Sequence, residues 1–281
     1  MTTQALTPQL RQWIVEQARA GCQIEDVVAA MKASGWREDV ALAAVAELQQ
    51  PRKPDLPLAE LPAVRVPEPA LAASPSRLWA GDTWVTVLLA MRQPRVVVFG
   101  GLLSDAECDA VVAAAGPRMA RSETVVLETG GNEVNPARTS RGMFFGRGES
   151  PLCERIELRI ATLLNWPVVN GEGLQVLHYR PGAEYRPHND YFDPAEPGMA
   201  AVLARGGQRV GTLVIYLNTP EKGGGTTFPD VGLEVAPIKG NAVFFSYDRP
   251  NASTRTLHGG APVIAGDKWV ATKWLRENEF N

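Results

Sequence analysis

The sequence predicts an α+β fold in which a double-sheeted jelly roll with supporting helices is preceded by a small three-helix module. Strand-like segments dominate the second half of the 281-residue chain, and two helical segments interrupt them. A proline-rich segment separates this region from three short helical patterns near the amino terminus. These observations divide the chain into a module at residues 1–50, a linker at 51–76 and a main domain at 77–281.

The three helical patterns of the module cover residues 8–20, 24–33 and 37–48, with glycines between them. Each has apolar residues at helical spacing and would present one stripe to a shared core. The simplest interpretation is that the three helices bury one another. The size of the module and its Gly35-Trp36 step also resemble ubiquitin-associated domains, which implies a protein-binding appendage.

Seven prolines and no aromatic residue occur between positions 51 and 76. Proline-rich segments favour extended chain, so this stretch is predicted to be a linker. In the main domain, Ser104 followed by Glu107 forms a capping box for a helix that ends at Ala115, and a second helix is predicted over 151–164. Patterns rich in β-branched and aromatic residues predict the strands: 84–90, 95–99, 124–127, 174–179, 209–217, 241–247 and 268–275.

Composition excludes several classes of function. A net charge of −3, with 21% charged and 45% hydrophobic residues, is that of an ordinary globular protein, so we expect no nucleic-acid partner and no membrane association. Three cysteines, at positions 22, 108 and 153, lack the spacing of a disulfide framework or zinc ribbon. With no signal-peptide pattern and no apolar run of about 20 residues, the sequence predicts a cytoplasmic location.

Two histidines and an aspartate form the most informative pattern. Alternate side chains of an extended strand face the same side, so His188 and Asp190 can point into one cavity. His258 follows seventy residues later, beside two glycines that favour a turn. Two imidazoles and a carboxylate can occupy one face of Fe(II) and leave adjacent positions open. A His-x-Asp pair alone is more often a hydrogen-bonded surface pair, so the case depends on the additional residues.

Lys268 is the first of these additional residues. Alternation along its predicted strand places Lys268 on one face, together with Thr272 and Trp274, and Lys273 on the other. A buried cation is costly unless it is paired, so a carboxylate ligand would suit Lys268. Lys273 is expected to be solvated, and the third histidine, His178, is expected to be structural.

Two blocks resemble the metal-ligand segments of prolyl 4-hydroxylases. The first is QVLHYRPGAEYRPHNDYF at residues 175–192, and the second joins LHGGAPV at 257–263 to GDKWVATKWLR at 266–276. Shorter similar motifs lie between them in the same order, and the similarity extends roughly over residues 95–277.

The resemblance implies a 2-oxoglutarate-dependent dioxygenase on a double-stranded β-helix. His188, Asp190 and His258 match the Fe(II) ligands and the catalytic centre, and Lys268 matches the lysine that binds the distal carboxylate of 2-oxoglutarate. Tyr179 and Thr226 match positions that help the lysine to hold the same carboxylate. The resemblance also implies ascorbate as a reductant. A carboxylate at position 190 favours hydroxylation over halogenation, because a smaller residue would leave room for halide.

Six further residues match positions that line the peptide groove in family members: Arg138, Ser140, Glu172, Tyr185, Arg209 and Trp274. Several of them have an ordinary alternative interpretation, as a loop, a turn residue or a solvated charge at a strand end. Arg276 departs from the family pattern, because relatives can carry histidine there.

The leading hypothesis is 4-hydroxylation of a peptidyl proline in a protein, with release of succinate and CO₂ and with the module recruiting a protein partner. One alternative is hydroxylation of a free amino acid or another small molecule. Another is a binding or sensing protein with low turnover that acts through its amino-terminal module.

Overall fold

The structure is a computed structural model that describes residues 24–38, 40–42, 44, 63–121, 124–125, 132–133, 140–196 and 198–281. The chain divides into two compact units, residues 1–61 and 62–281. The predicted helix at 8–20 lies outside the described residues. No helix in the described part of the chain combines the length and apolar character needed to cross a membrane.

In the first unit, helix α1 (Ile24–Ala33) has the predicted bounds. It buries Val27, Val28 and Met31 in a small core, and Trp36 packs against that core from the turn that follows. The described residues between 38 and 44 are helical, as predicted for the third segment. The described part of the module therefore has the core-facing stripe that its apolar spacing indicated.

The second unit contains three helices and seventeen strands among its described residues. The helices are α2 (Asp105–Ala115), α3 (Pro151–Leu164) and α4 (Met199–Leu203). The strands are β1 (Arg77–Trp79), β2 (Trp84–Met91), β3 (Arg95–Gly100), β4 (Ala120–Arg121), β5 (Thr124–Val125), β6 (Asn132–Glu133), β7 (Arg141–Phe145), β8 (Leu174–Tyr179), β9 (Tyr185–His188), β10 (Arg209–Tyr216), β11 (Lys222–Gly223), β12 (Thr226–Phe228), β13 (Leu233–Val235), β14 (Ala242–Ser246), β15 (His258–Gly260), β16 (Val263–Ala265) and β17 (Lys268–Arg276).

Two antiparallel sheets organise the unit. The larger has nine strands in the order β1-β2-β3-β14-β10-β17-β8-β7-β4, and the smaller has four in the order β13-β12-β15-β9. Strands distant in sequence are neighbours in both sheets, which is typical of a jelly roll. The predicted fold class is confirmed.

The two principal helices have specific start signals. Ser104 accepts a hydrogen bond from the Glu107 backbone N–H, and the Glu107 side chain accepts one from the Ser104 backbone N–H, so the predicted capping box is present. Ser150 caps α3, and Asn165 ends it in the left-handed conformation.

Two hydrophobic cores lie on opposite sides of the nine-stranded sheet. The outer core joins the sheet to α2 and α3 and includes Val111, Ile156 and Ala271. The inner core lies between the two sheets and includes Phe228 and Val270. Successive residues of β17 thus enter different cores, as strand alternation requires.

Residues 63–76 differ from the prediction of a free linker. Val64, Val66 and Leu71 pack against the outer core, and Glu68 forms an ion pair with Arg95. Prolines restrict helix and sheet formation, but they do not prevent the valines between them from packing against the core. The packed domain therefore begins near residue 62, earlier than the predicted residue 77.

The expectation that Lys273 is solvated is wrong. Its side chain is buried in the outer core region and forms an ion pair with Glu157 of α3. Strand alternation identified the face correctly, but only the packing of α3 buries that face. His178 stacks on Trp269 with ring centroids 4.2 Å apart and lies 3.0 Å from the Asp267 carboxylate, in keeping with a structural role.

Candidate metal and 2-oxoglutarate site

Three potential metal ligands meet at one edge of the smaller sheet. Strands β9 and β15 are antiparallel neighbours, and His188 and His258 lie directly opposite each other in their register. Asp190 lies two residues beyond the end of β9, so a bend of the chain, and not strand alternation alone, brings it to the histidines. One ligand atom from each of the three residues lies within 4.8 Å of the other two.

The distances within this group define its geometry. His188 Nε2 lies 3.5 Å from Asp190 Oδ1, and His258 Nε2 lies 3.4 Å from Asp190 Oδ2. The donor set is two imidazole nitrogens and one carboxylate oxygen, which suits Fe(II) with open coordination positions. The residues present therefore fit the metal that the sequence predicted.

Backbone carbonyls orient both imidazoles. His188 Nδ1 lies 2.9 Å from the Arg186 carbonyl oxygen, and His258 Nδ1 lies 2.9 Å from the Thr256 carbonyl oxygen. A carbonyl can only accept, so each Nδ1 carries the proton and each Nε2 lone pair is available to a metal. Burial lowers the pKa of His258 to about 4, so at neutral pH this ring is already uncharged and competent to bind a metal.

Asp190 is held in its charged form by its surroundings. Burial alone would favour the neutral acid, but the adjacent His258 and His188 rings and Arg209 hold the pKa of Asp190 well below its usual range. Thr212 Oγ1 donates a hydrogen bond of 2.8 Å to Asp190 Oδ2. The hydroxyl of Tyr247 lies 3.0 Å from the same threonine oxygen and extends the network.

Aromatic rings form the walls around the imidazoles. Tyr185 stacks on His188 with centroids 3.7 Å apart, and Phe245 and Phe228 lie 4.4 Å and 6.1 Å from the His258 ring. Tyr185 was predicted to line the peptide groove, and the structure places it against a metal ligand. Its position allows it both to hold the His188 ring and to border the open side of the site.

Lys268 is buried without a carboxylate partner among the described residues. It lies opposite Tyr179 in the register of β17 and β8, and its ammonium group is 5.4 Å from the Tyr179 ring centroid and 6.0 Å from that of Tyr216. Burial lowers the pKa of Lys268 to about 8, partly opposed by Glu234. A bound carboxylate would supply the missing counter-charge.

Thr226 reaches this region through a residue that the sequence did not single out. The hydroxyl of Tyr216 donates a hydrogen bond of 2.7 Å to Thr226 Oγ1, and both side chains are buried. Burial raises the pKa of Tyr216 well above its usual range, so the phenol stays protonated and can donate. Tyr216 lies in one of the shorter motifs between the two blocks but was not predicted as a site residue, and neither was Thr212. The register of β10 against β14 and β17 brings both to the site.

A second polar group is centred on Glu172. Arg209 donates two hydrogen bonds to its carboxylate, of 2.7 Å and 2.9 Å, and Arg276 Nε donates a third of 2.7 Å. The Arg209 guanidinium lies 4.0 Å from the centroid of the Trp274 ring. Arg276, the residue that departs from the family pattern, is thus a direct partner of Glu172.

The predicted groove residues do not form one cluster. Glu172, Arg209 and Trp274 are in contact, whereas Tyr185 lies at the metal ligands. Ser140 is buried just before β7, and because Arg141 pairs with His178 it lies near the Tyr179 end of β8, away from Glu172. Arg138 lies outside the described residues and stays a prediction.

Comparison with known proteins agrees with the fold and site. The 2OG-Fe(II) oxygenase superfamily model matches residues 174–276, which include the three potential metal ligands and Lys268. Prolyl 4-hydroxylase 5 of Arabidopsis thaliana is 40% identical over 222 residues, covering 71% of this chain and 74% of the relative. Prolyl 4-hydroxylase 1 of the same plant is 40% identical over 201 residues, covering 66% and 69%.

A solved structure is also similar. The viral collagen prolyl hydroxylase of Paramecium Bursaria Chlorella virus-1, in complex with 2OG, shares 31% identity and a TM-score of 0.50, covering 64% of this chain and 95% of that one. A jelly roll with this site and these matches defines a 2-oxoglutarate- and Fe(II)-dependent dioxygenase. The chain belongs to the prolyl 4-hydroxylase family.

Proposed function

We propose that this protein hydroxylates C4 of a peptidyl proline, using Fe(II), O₂ and 2-oxoglutarate and releasing succinate and CO₂. The observation that carries the proposal is the combination of the His188, Asp190 and His258 group with Lys268, a buried cation that has no ion-pair partner among the described residues. The names of the Arabidopsis relatives and of the viral structure support proline as the residue that is modified.

The roles of the site residues follow from their contacts. His188, Asp190 and His258 would hold Fe(II), with Thr212 fixing the carboxylate through its hydrogen bond. Lys268 would bind the distal carboxylate of 2-oxoglutarate. When bound, the metal and co-substrate supply the oxidant that hydroxylates a carbon–hydrogen bond.

Tyr179 and Thr226 would complete the 2-oxoglutarate pocket. Tyr179 lies opposite Lys268 on the neighbouring strand, and Thr226 accepts from Tyr216, whose ring lies beside the Lys268 ammonium. These neighbours surround the ammonium with aromatic walls and hydroxyl groups. Such an environment would hold a carboxylate through hydrogen bonds while excluding water.

Trp274 points to a peptide as the substrate. Its indole Nε1–H is buried and has no hydrogen-bond partner among the residues that the structure describes, and such a group in a native protein calls for a ligand or water to satisfy it. A backbone carbonyl of a bound peptide would supply the acceptor. Glu172 holds Arg209 against the Trp274 ring, so these three residues would form one wall of the groove.

The proposal includes three features of the protein in its cellular context. Ascorbate would act as a reductant, the protein would act in the cytoplasm, and the amino-terminal module would recruit a protein partner. Deletion of residues 1–61 would test the module while sparing residues 63–76, which pack on the dioxygenase domain. Unchanged peptide hydroxylation with loss of partner capture is the expected result, and loss of folding would make the module structural.

The principal experiment loads the full chain anaerobically with Fe(II) and 2-oxoglutarate, admits O₂ over a panel of proline-containing peptides, and measures added oxygen by mass spectrometry. We expect oxygen on proline with stoichiometric succinate, and neither product from the His188→Ala variant. Oxygen on free proline or another small molecule, with every peptide unchanged, would contradict the proposal and favour the small-molecule alternative.

A further inference from the structure

A cavity of about 640 Å³ lies beside the Glu172 group, away from the metal ligands. Among the described residues that line it, four are arginines, at positions 147, 205, 209 and 276, and one has an acidic side chain, Glu172. The cavity is therefore strongly positive on a protein whose net charge is −3. A concentration of like charge in a concave surface focuses the field and attracts an anion.

The floor of the cavity is arranged to retain this charge. Glu172 can neutralise only one of the two guanidinium groups that it holds, that of the half-buried Arg209 or that of the buried Arg276. Both guanidinium groups are also fixed against the Phe192 ring, at 4.7 Å and 5.0 Å from its centroid. The floor is thus preorganised, which lowers the entropy cost of binding a ligand there.

The rim of the cavity adds two exposed arginines, neither of which pairs with an aspartate or glutamate side chain among the described residues. Arg205 Nε donates to the main-chain oxygen of Asn281, and its guanidinium lies 4.7 Å from the Phe280 ring centroid. Arg147 Nη1 donates to the carbonyl oxygens of Val169, Gly171 and Phe280. Both side chains are positioned by main-chain oxygens, and Arg205 also by an aromatic ring, so no acidic side chain of the described residues offsets their charge.

The cavity lies within reach of a peptide bound at the metal. Arg209 lies three residues before Thr212 on β10, and Thr212 donates directly to Asp190. At about 3.3 Å per strand residue this places the floor roughly 10 Å from the metal ligands. A polyproline II peptide rises about 3.1 Å per residue, so roughly three residues would span that distance.

We propose that this cavity binds an acidic side chain of the peptide substrate, about three residues from the proline that is hydroxylated. The inference rests on the proposed function, because it takes a proline peptide as the occupant. A carboxylate would accept charge-assisted hydrogen bonds from the arginines, and its recognition would give the enzyme a sequence preference beyond proline itself.

The test uses peptides that share one proline and carry Asp, Asn or Lys at each of positions one to five residues away on either side. We expect kcat/KM for Asp over Asn to peak at about fivefold to tenfold near the third position, and to fall as salt increases. Arg205→Gln should reduce the preference, and Arg205→Glu should invert it in favour of Lys. Arg92→Gln, an exposed arginine at the turn after β2, is the matched control and should keep the wild-type preference.

Binding of the same peptides is measured by fluorescence anisotropy with Fe(II) and 2-oxoglutarate but without O₂. Oxygenation of all peptides with equal kcat/KM, or an acidic preference that survives Arg205→Glu, would overturn the inference and leave the proposed function standing. If no peptide is oxygenated but Asp peptides bind more tightly, and Arg205→Glu abolishes that preference, the site for an acidic side chain is supported and the proposed function is contradicted. No oxygenation and no difference in binding would overturn both.

Discussion

The two faces of β17 carry two buried lysines with opposite roles. Lys268 on the inner face is 4% exposed and Lys273 on the outer face is 2% exposed, and burial lowers the pKa of both. Lys273 has an ion-pair partner in Glu157, whose second oxygen accepts from the Gly148 backbone N–H. Lys268 has no ion-pair partner among the described residues, and the Tyr179 and Tyr216 rings lie beside its ammonium group.

The difference separates a group that stabilises the fold from one that awaits a ligand. A buried ion pair is complete in the folded chain, so the protein itself satisfies Lys273. A buried ammonium without a counter-ion raises the free energy of the empty protein and is stabilised when an anion binds. Burial alone does not distinguish these cases, but the presence or absence of a partner does.

Replacing each lysine with methionine, which retains an unbranched apolar chain, tests this comparison directly. Lys273→Met should lower the free energy of unfolding by about 3–5 kcal/mol, because it leaves the Glu157 carboxylate buried and unpaired. Urea denaturation of the full chain measures the change. Adding Glu157→Gln, which removes the charge but keeps an acceptor for Gly148, should restore most of the loss. If Lys273→Met were as stable as the wild type, the ion pair of Lys273 with Glu157 would not stabilise the fold.

Lys268→Met should leave the free energy of unfolding unchanged or raised. It should weaken only the use of the co-substrate, 2-oxoglutarate. Loss of one partner of a buried charge pair costs about 2–5 kcal/mol, equivalent to roughly a 30-fold to several-thousand-fold fall in kcat/KM for 2-oxoglutarate. Succinate formation at varied 2-oxoglutarate concentration gives this value, and Lys273→Met is the matched control. An unaltered KM for 2-oxoglutarate would show that Lys268 does not bind it.

The pH dependence of 2-oxoglutarate binding should follow Lys268. Because burial lowers the pKa of Lys268 to about 8, its side chain is charged below that pH and loses its charge as the pH rises through it. A dicarboxylate needs the charged form, so its affinity should be nearly constant below about pH 7, about twofold weaker at pH 8 and about tenfold weaker at pH 9. Calorimetric titration of the metal-loaded protein without O₂ measures the affinity. Affinity that stays level to pH 9.5 would indicate that another cation holds the co-substrate.

The smallest expected effect is on the peptide KM, and it is tested by comparing substitutions of two tryptophans on the same strand. Trp274→Phe keeps an aromatic ring beside Arg209 but removes the unpartnered indole N–H, so the peptide KM should rise roughly fivefold, or about 1 kcal/mol, with 2-oxoglutarate KM unchanged. Trp269→Phe on the outer face, where Trp269 stacks on His178, should leave the peptide KM unaltered. Equal effects of the two substitutions would show that the Trp274 N–H does not contact the peptide.

Much of the fold and site could be predicted because the relevant signals are local. Capping residues and apolar spacing predicted the helix bounds, and strand alternation predicted the faces of β17. The ligand types of His188, Asp190 and His258 predicted a metal site. The contacts of Thr212 with Asp190 and of Tyr216 with Thr226 could not be predicted. They join strands through a register that no spacing in the sequence encodes.

The sequence by itself determined which side chains share a strand face, since alternation is a property of extended backbone, and which chemistry those side chains can perform. Only the tertiary structure decided which of them are buried and paired. The packing of α3 onto the outer face made Lys273 structural. The closure of the smaller sheet over the inner face left Lys268 without an ion-pair partner among the described residues. Burial and pairing depend on which distant elements cover each face, and those contacts exist only in the folded chain.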